Sequence, residues 1–80
     1  MNYIVFCKPQ CPFCVQAVNL LEHEDKSFKV INFNDEQQNV LQEVKEALNW
    51  PTVPIVFRRE GPILEFIGGY TDLVKHIEDE

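Results

Sequence analysis

The spacing of apolar positions changes several times along the chain, and each change marks an element. NYIVF, at 2–6, is β-branched and aromatic without polar alternation, which predicts a central strand covered on both faces. From Pro12 to about Glu24 the spacing turns helical. Cys14, Val18 and Leu21 recur every three or four residues, with Val15 beside them. Pro12 suits a first helical turn, where its missing N–H is no loss. FKVINF, at 28–33, predicts a second strand. Asn34, Asp35 and Glu36 then supply capping and acidic residues for a helix start. Val40, Leu41, Val44, Ala47 and Leu48 form its apolar stripe, and Pro51 ends it. PIVFR and PILEFI flank REG, the pattern of a hairpin. Thr71 and Asp72 open a last short helix carrying Leu73, Val74 and Ile77. Its acidic end, Glu78, Asp79 and Glu80, opposes the helix dipole and is expected to fray.

The order is therefore β-α-β-α-β-β-α. Two parallel strands joined by a helix require a right-handed crossover. The hairpin then extends the sheet, and helices cover its faces. The expected fold is α/β, a four-stranded mixed sheet flanked by three helices. Cys11 and Cys14 fall where the first strand ends and the first helix begins, the end at which open α/β sheets place their sites.

Composition narrows the function. Eighty residues, 45% of them hydrophobic, make one small domain over 1–80 with room for a modest core and no need of staples. The net charge is −6, and among seven basic residues only Arg58 and Arg59 adjoin, which leaves no footprint for nucleic acid. That pair precedes Glu60 and Gly61 and reads as a solvated turn. The opening MNYIVFCKPQ lacks the basic flank and apolar run of a signal peptide, and no stretch approaches the ~20 apolar residues of a membrane span. The expectation is a soluble cytoplasmic protein without a membrane partner. Three cysteines within eight positions cannot build a disulfide framework. In a reducing compartment a CxxC is more often catalytic or metal-binding than structural.

A helix N-terminus carries about half a positive charge and free N–H donors. Cys11 sits there with Lys8 nearby, so thiolate is expected to be favoured over thiol. Lowering a thiol pKa from ~8.5 to about 5 raises the thiolate fraction roughly 30-fold at pH 7. It also costs roughly 40-fold in nucleophilicity at a Brønsted slope of ~0.45, so the gain lies in departure rather than attack. Such a thiol suits a shuttle. Cys14, about one turn on, can attack a disulfide formed at Cys11. Three other readings compete. Cys7, Cys11 and Cys14 spell CxxxCxxC, the cluster signature of radical-SAM enzymes, which build a far larger barrel. Zinc needs a fourth ligand, His23 or His76, and neither has finger-like spacing. Inert structural cysteine is the favoured reading for Cys7 alone, as a small apolar side chain at a strand end.

KPQCPFC, at 8–14, resembles the active site of glutaredoxins, usually Lys-Pro-x-Cys-Pro-Tyr-Cys. TVP, at 52–54, and GGYTDL, at 68–73, resemble two further motifs of that family, in the right order and at the right distances. The resemblance spans the chain and implies a thioredoxin-like fold with glutathione-linked thiol–disulfide exchange. It implies that Cys11 is the nucleophile that forms a mixed disulfide with glutathione, that Cys14 resolves it, and that the two form the redox-active disulfide. Lys8 matches a residue that meets the glycine-end carboxylate of glutathione. Val53 matches the residue whose backbone pairs with the cysteinyl part, beside Thr52 and a cis-proline at Pro54. Gly68 and Gly69 match a tight turn. Thr71 and Asp72 match the helix start that takes the γ-glutamyl end, where N–H groups suit a carboxylate and the Asp72 carboxylate suits an ammonium. Gln38 would add a carboxylate contact from the second helix. Two positions depart from the pattern. Phe13 replaces the tyrosine, keeping the ring without the hydroxyl, and Cys7 stands where Ser or Thr is usual.

On this resemblance the chain is a dithiol oxidoreductase of cytoplasmic redox homeostasis. It would reduce protein disulfides and glutathione mixed disulfides, and carry electrons to a reductase such as ribonucleotide reductase. Glutathione is the cosubstrate, disulfide-containing or glutathionylated proteins are the partners, no metal is expected, and a monomer suffices. A redoxin fed by thioredoxin reductase and an iron–sulfur-bridged carrier dimer are the alternatives. The Gly68-Gly69 turn with Thr71 and Asp72 speaks against the first, Pro12 and Cys14 against the second.

Overall fold

The computed structural model describes residues 2–79. Its elements are β1 (Asn2–Cys7), α1 (Pro12–His23), β2 (Ser27–Asn32), a 3-10 turn (Asp35–Gln37), α2 (Gln38–Leu48), β3 (Ile55–Glu60), β4 (Ile63–Gly68) and α3 (Tyr70–Glu78). The strands form one mixed sheet in the order β2-β1-β3-β4. β1 runs parallel to β2, from Asn2 opposite Ser27 to Cys7 opposite Asn32, and antiparallel to β3. β3 and β4 form the hairpin, turning through Gly61 and Pro62 between the Glu60–Ile63 pair. Gly61 sits at φ +59°, which two-residue hairpin loops ask of their first central residue. This is the thioredoxin-like fold expected above.

Each face of the sheet has its own core. Tyr3, Val5 and Cys7 alternate along β1 onto one face, where Cys14, Ala17 and Leu21 of α1 and Leu73 and Ile77 of α3 meet them. On the other face Phe33, Leu41 and Ile55 pack with Phe6, Val44, Leu48, Phe57 and Phe66. Fully burying a side chain such as Val5, Leu21, Leu41, Ile55 or Leu73 contributes about 1.5–3 kcal/mol. β1 is thus interior to the sheet and covered on both faces, as its unbroken apolar run predicts.

Several elements differ in detail. α2 begins at Gln38 rather than at Asn34, because Asn34 caps the preceding 3-10 turn instead. Its side-chain Oδ1 accepts from the Glu36 N–H at 3.0 Å, and its backbone N–H donates to Gln37 Oε1 at 3.2 Å. The stripe of α2 is narrower than expected. Leu41 is buried and Val44 and Leu48 are half-buried, whereas Val40 and Ala47, one position round the helix, face solvent. Val15 of α1 is likewise exposed, and Ala17 takes the buried place. α3 starts one residue early, at Tyr70, with Gly69 as its N-cap, and ends at Glu78; Glu80 lies outside the described residues. No described helix is long and apolar enough to cross a membrane.

Candidate active site

The three cysteines converge where β1 delivers the chain to α1. Gln10 turns the backbone at φ +59°, and Cys11 follows as the N-cap in an extended conformation. Its Sγ takes the place a serine oxygen would have. It accepts the Cys14 N–H at 3.3 Å, one of the donors a helix start leaves without an intrahelical partner. Across the cleft the Cys11 sulfur lies 3.8 Å from the Val53 carbonyl, an alternative acceptor for its single S–H. The Val53–Pro54 peptide is cis.

Beside this pair opens a cleft of about 280 Å³, lined by Phe13, Trp50, Thr52, Val53, Pro54, Gly69, Tyr70, Thr71 and Asp72. Seven of these were singled out in the sequence, and they come together from three separate segments. A hollow of about 320 Å³ at the end of α2, lined by Gln42, Lys45 and Glu46 among others, holds no thiol. At the far end of the cleft the Asp72 carboxylate accepts the Gly69 N–H at 3.0 Å, which closes the turn into α3. Gly68 makes that turn at φ +128°, and a Cβ there would collide with the Asp72 carboxylate.

Two expected residues stand apart from the lining. Lys8 is exposed on the loop before Cys11, near enough for its charge to act on that thiol. Gln38 turns the other way. Its amide N–H groups go to the Phe33 and Asn34 carbonyls at 2.8 and 3.1 Å, so its donors serve the β2–α2 connection.

Residues 3–61 match the glutaredoxin family model. The chain belongs to the glutaredoxin family. A probable glutaredoxin of Acanthamoeba polyphaga mimivirus is 30% identical to it, over 96% of this chain and 78% of the viral protein. The crystal structure of a wheat glutaredoxin superposes with a TM-score of 0.80 at 31% identity, covering 95% of this chain and 71% of that one. That of a buckwheat glutaredoxin–glutathione complex gives 0.78 at 20% identity, covering 96% and 68%, a likeness of fold. Membership makes the chain a thiol–disulfide oxidoreductase.

Within this glutaredoxin site the thiols ionise unequally. Burial pushes the Cys11 thiol up, and its hydrogen bond to the Cys14 thiol adds to that. The Cys14 N–H and, more weakly, Lys8 pull the other way without reversing the balance. The sequence led to the opposite expectation. The helix start does deliver its N–H, but Cys11 is only 8% exposed, and desolvation disfavours the thiolate by more. Cys14 is pushed far above the ordinary thiol range, first by its hydrogen bond to Cys7 and then by burial. Cys7 is held below that range because the Cys14 thiol donates to its sulfur, against burial and the charge of Cys11.

Trp50 and Tyr70 were missed in the sequence. The Trp50 ring packs edge-on against Phe66 at 5.4 Å, and its Nε1–H is buried with no hydrogen-bond partner among the described residues. A lone tryptophan just before Pro51 and the TVP motif is the signal that could have found it. Tyr70, directly after Gly68-Gly69, lies 6.1 Å from the Phe13 ring. The two aromatics form one rim of the cleft without the usual tyrosine hydroxyl at position 13.

Proposed function

We propose that this chain is a glutathione-dependent dithiol oxidoreductase that reduces glutathionylated proteins and protein disulfides. The observation that carries the reading is the cleft itself. It places the Val53 backbone within 3.8 Å of the reactive sulfur and the start of α3 at the other end. A tripeptide thiol in this cleft would bond its sulfur to Cys11 and pair its backbone at Val53, as an added strand does. Its γ-glutamyl carboxylate would meet the N–H groups at Thr71 and Asp72. Thr52, Pro54 and Gly69 would form the walls, with Phe13 and Tyr70 as the rim. The orphan Trp50 N–H is a further donor for a ligand oxygen, and Lys8 adds positive charge beside the sulfur. The buckwheat relative with the same fold was crystallised as a glutathione complex, which supports this choice of ligand.

The steps follow from the thiols. The Cys11 sulfur attacks the glutathione sulfur of a mixed disulfide. The protein thiolate leaves with the bonding electron pair and takes up a proton. Cys11 is left bonded to glutathione, and a second glutathione displaces it. With a protein disulfide as substrate, Cys14 attacks the Cys11 sulfur instead, releasing the reduced protein and leaving Cys11–Cys14 joined. Reductases that end each cycle as a disulfide, ribonucleotide reductase among them, are the acceptors this chemistry serves. The working form on this reading is a cytoplasmic monomer.

Turnover with NADPH, glutathione and glutathione reductase, set against turnover with NADPH and thioredoxin reductase, tests the proposal. Robust activity only in the first is expected, and activity only in the second would replace glutathione with a redoxin role. Visible absorbance in freshly purified protein would point to a cluster-bridged dimer instead.

A further inference from the structure

The mechanism above uses two thiols, yet three are in contact. The Cys11 thiol hydrogen-bonds to the Cys14 thiol, and the Cys14 thiol to the Cys7 sulfur, so Cys14 stands between two sulfur partners. The placement has a simple cause. Strand alternation sends Cys7 to the same face as Tyr3 and Val5, and α1 covers that face with Cys14 inward. Cys7 and Cys14 also share a second pocket, about 280 Å³, with Val15, Val18, Asn19, Val30 and Asn32 between α1 and β2. It has no lining residue in common with the cleft at Val53 and Asp72.

We infer that Cys7 and Cys14 form a second redox pair, to which the Cys11–Cys14 disulfide is passed by internal exchange. The Cys7 sulfur attacks the Cys14 sulfur. The Cys11–Cys14 bond breaks, the Cys7–Cys14 bond forms, and the electron pair leaves on Cys11, which takes the proton that Cys7 gives up. The step is balanced and needs no outside oxidant, since the substrate disulfide has already supplied the oxidising equivalents. Attack at Cys14 is favoured by position: Cys7 and Cys14 line the same pocket, whereas the displaced Cys11 faces Val53 on the other side. The product frees Cys11 for another substrate and exposes the stored disulfide to the α1–β2 pocket. That pocket is walled by valines and is suited to a small reducing thiol. Cys7 thereby changes from an inert strand residue into a reserve partner for Cys14. The inference rests on the family's thiol–disulfide chemistry and not on glutathione.

Cys11→Ser is the direct test, because serine is a preferred N-cap and preserves the helix start. Diamide is added to the full-length reduced variant, and remaining thiols are then alkylated and counted by intact mass. Both thiols should disappear together, with the loss of two hydrogens and no adduct. Two alkylatable thiols, or only disulfide-linked dimers, would overturn the pairing. In the wild-type protein, molecules oxidised to one disulfide are alkylated, and fragmentation locates the remaining free thiol. Alkylated Cys11 in about a tenth or more of them is expected, whereas label on Cys7 alone would overturn the exchange. Neither readout uses glutathione. A protein inactive in the glutathione reductase assay therefore sinks the proposed function without touching this result.

Discussion

Asp72 has two roles to separate, and one substitution series does so. Its carboxylate accepts the Gly69 N–H at 3.0 Å in a half-buried turn, and it is also the group proposed to meet the γ-glutamyl ammonium. A hydrogen bond to a charged acceptor contributes about 1.5–3 kcal/mol, and a neutral one about 0.5–1.5. A negative charge in the first helical turn adds about 0.3–1 kcal/mol. Asp72→Asn keeps an oxygen acceptor at the same place, so it should cost about 1 kcal/mol. For a domain of this size that lowers Tm by roughly 4–8 °C. Asp72→Ala leaves the buried Gly69 N–H unpaired and should cost about 1–3 kcal/mol. The same Asp72→Asn change removes the partner of the ammonium. The apparent KM for glutathione should rise several-fold, reaching about tenfold if ~1.4 kcal/mol is lost. Added salt should narrow that difference, since a partly exposed pair is screened. Thermal unfolding by circular dichroism and glutathione-dependent turnover are measured on the same preparations. An unchanged Tm in both variants would refute the capping geometry. A lowered Tm with unchanged glutathione kinetics would leave Asp72 as a cap alone.

Gly68→Ala should destabilise by about 1–3 kcal/mol, because φ +128° is nearly reserved to glycine and a Cβ meets Asp72. Gly69→Ala should be far milder in chemical denaturation, since a Cβ there finds its nearest neighbours at ordinary distances of 3.6–3.9 Å; equal losses would refute the turn geometry. Cys14→Ser should retain turnover of glutathione mixed disulfides and lose reduction of protein disulfides, and equal loss in both assays would contradict the resolving role. In the reduced protein Cys11 and Cys14 hold their protons more tightly folded than unfolded, so their contribution is fully present below the unfolded thiol pKa of ~8.5. It is lost as pH rises above that value, by up to about 1.4 kcal/mol per unit for each thiol, with Cys7 offsetting part. Urea midpoints that stay level from pH 8 to 10 would count against these buried thiols.

The sequence was most legible where a pattern depends only on its own neighbours. β1 could be read as interior because an unbroken apolar run has no face left for water. The end of α2 could be read from Pro51, and the structure adds Asn49 in the left-handed conformation as the cap before it. The width of the α2 stripe could not be read. Val40 and Ala47 adjoin Leu41 and Leu48 in the sequence, and only the packing of Leu41, Val44 and Leu48 with Phe33 and Ile55 decides that the contact stops one position short. The same limit applies to Gln38. A glutamine opening a helix looks free in a sequence, and the carbonyls of Phe33 and Asn34 that occupy it become its neighbours only after the 3-10 turn has formed.

The thiols show the limit most clearly. Their reactivity depends on a balance between a local gain and a non-local loss. The gain is readable: a cysteine at a helix start will receive N–H groups, and the Cys14 N–H is there at 3.3 Å. The loss is desolvation, which depends on how closely the Val53 segment, 42 residues further on, closes over the sulfur. Cys7 is harder again. Its face on β1 follows from alternation with Tyr3 and Val5, but its partner depends on which face α1 crosses. A right-handed crossover to a parallel β2 settles the hand of the β1-α1-β2 unit. Once α1 lies over the face of Tyr3, the inward position nearest its start is Cys14, and Cys7 at the strand end lies beneath it. Serine at position 7 would fill the same space with a hydroxyl that cannot take part in exchange. The departure from the family pattern and the extra sulfur contact are therefore one feature of this chain.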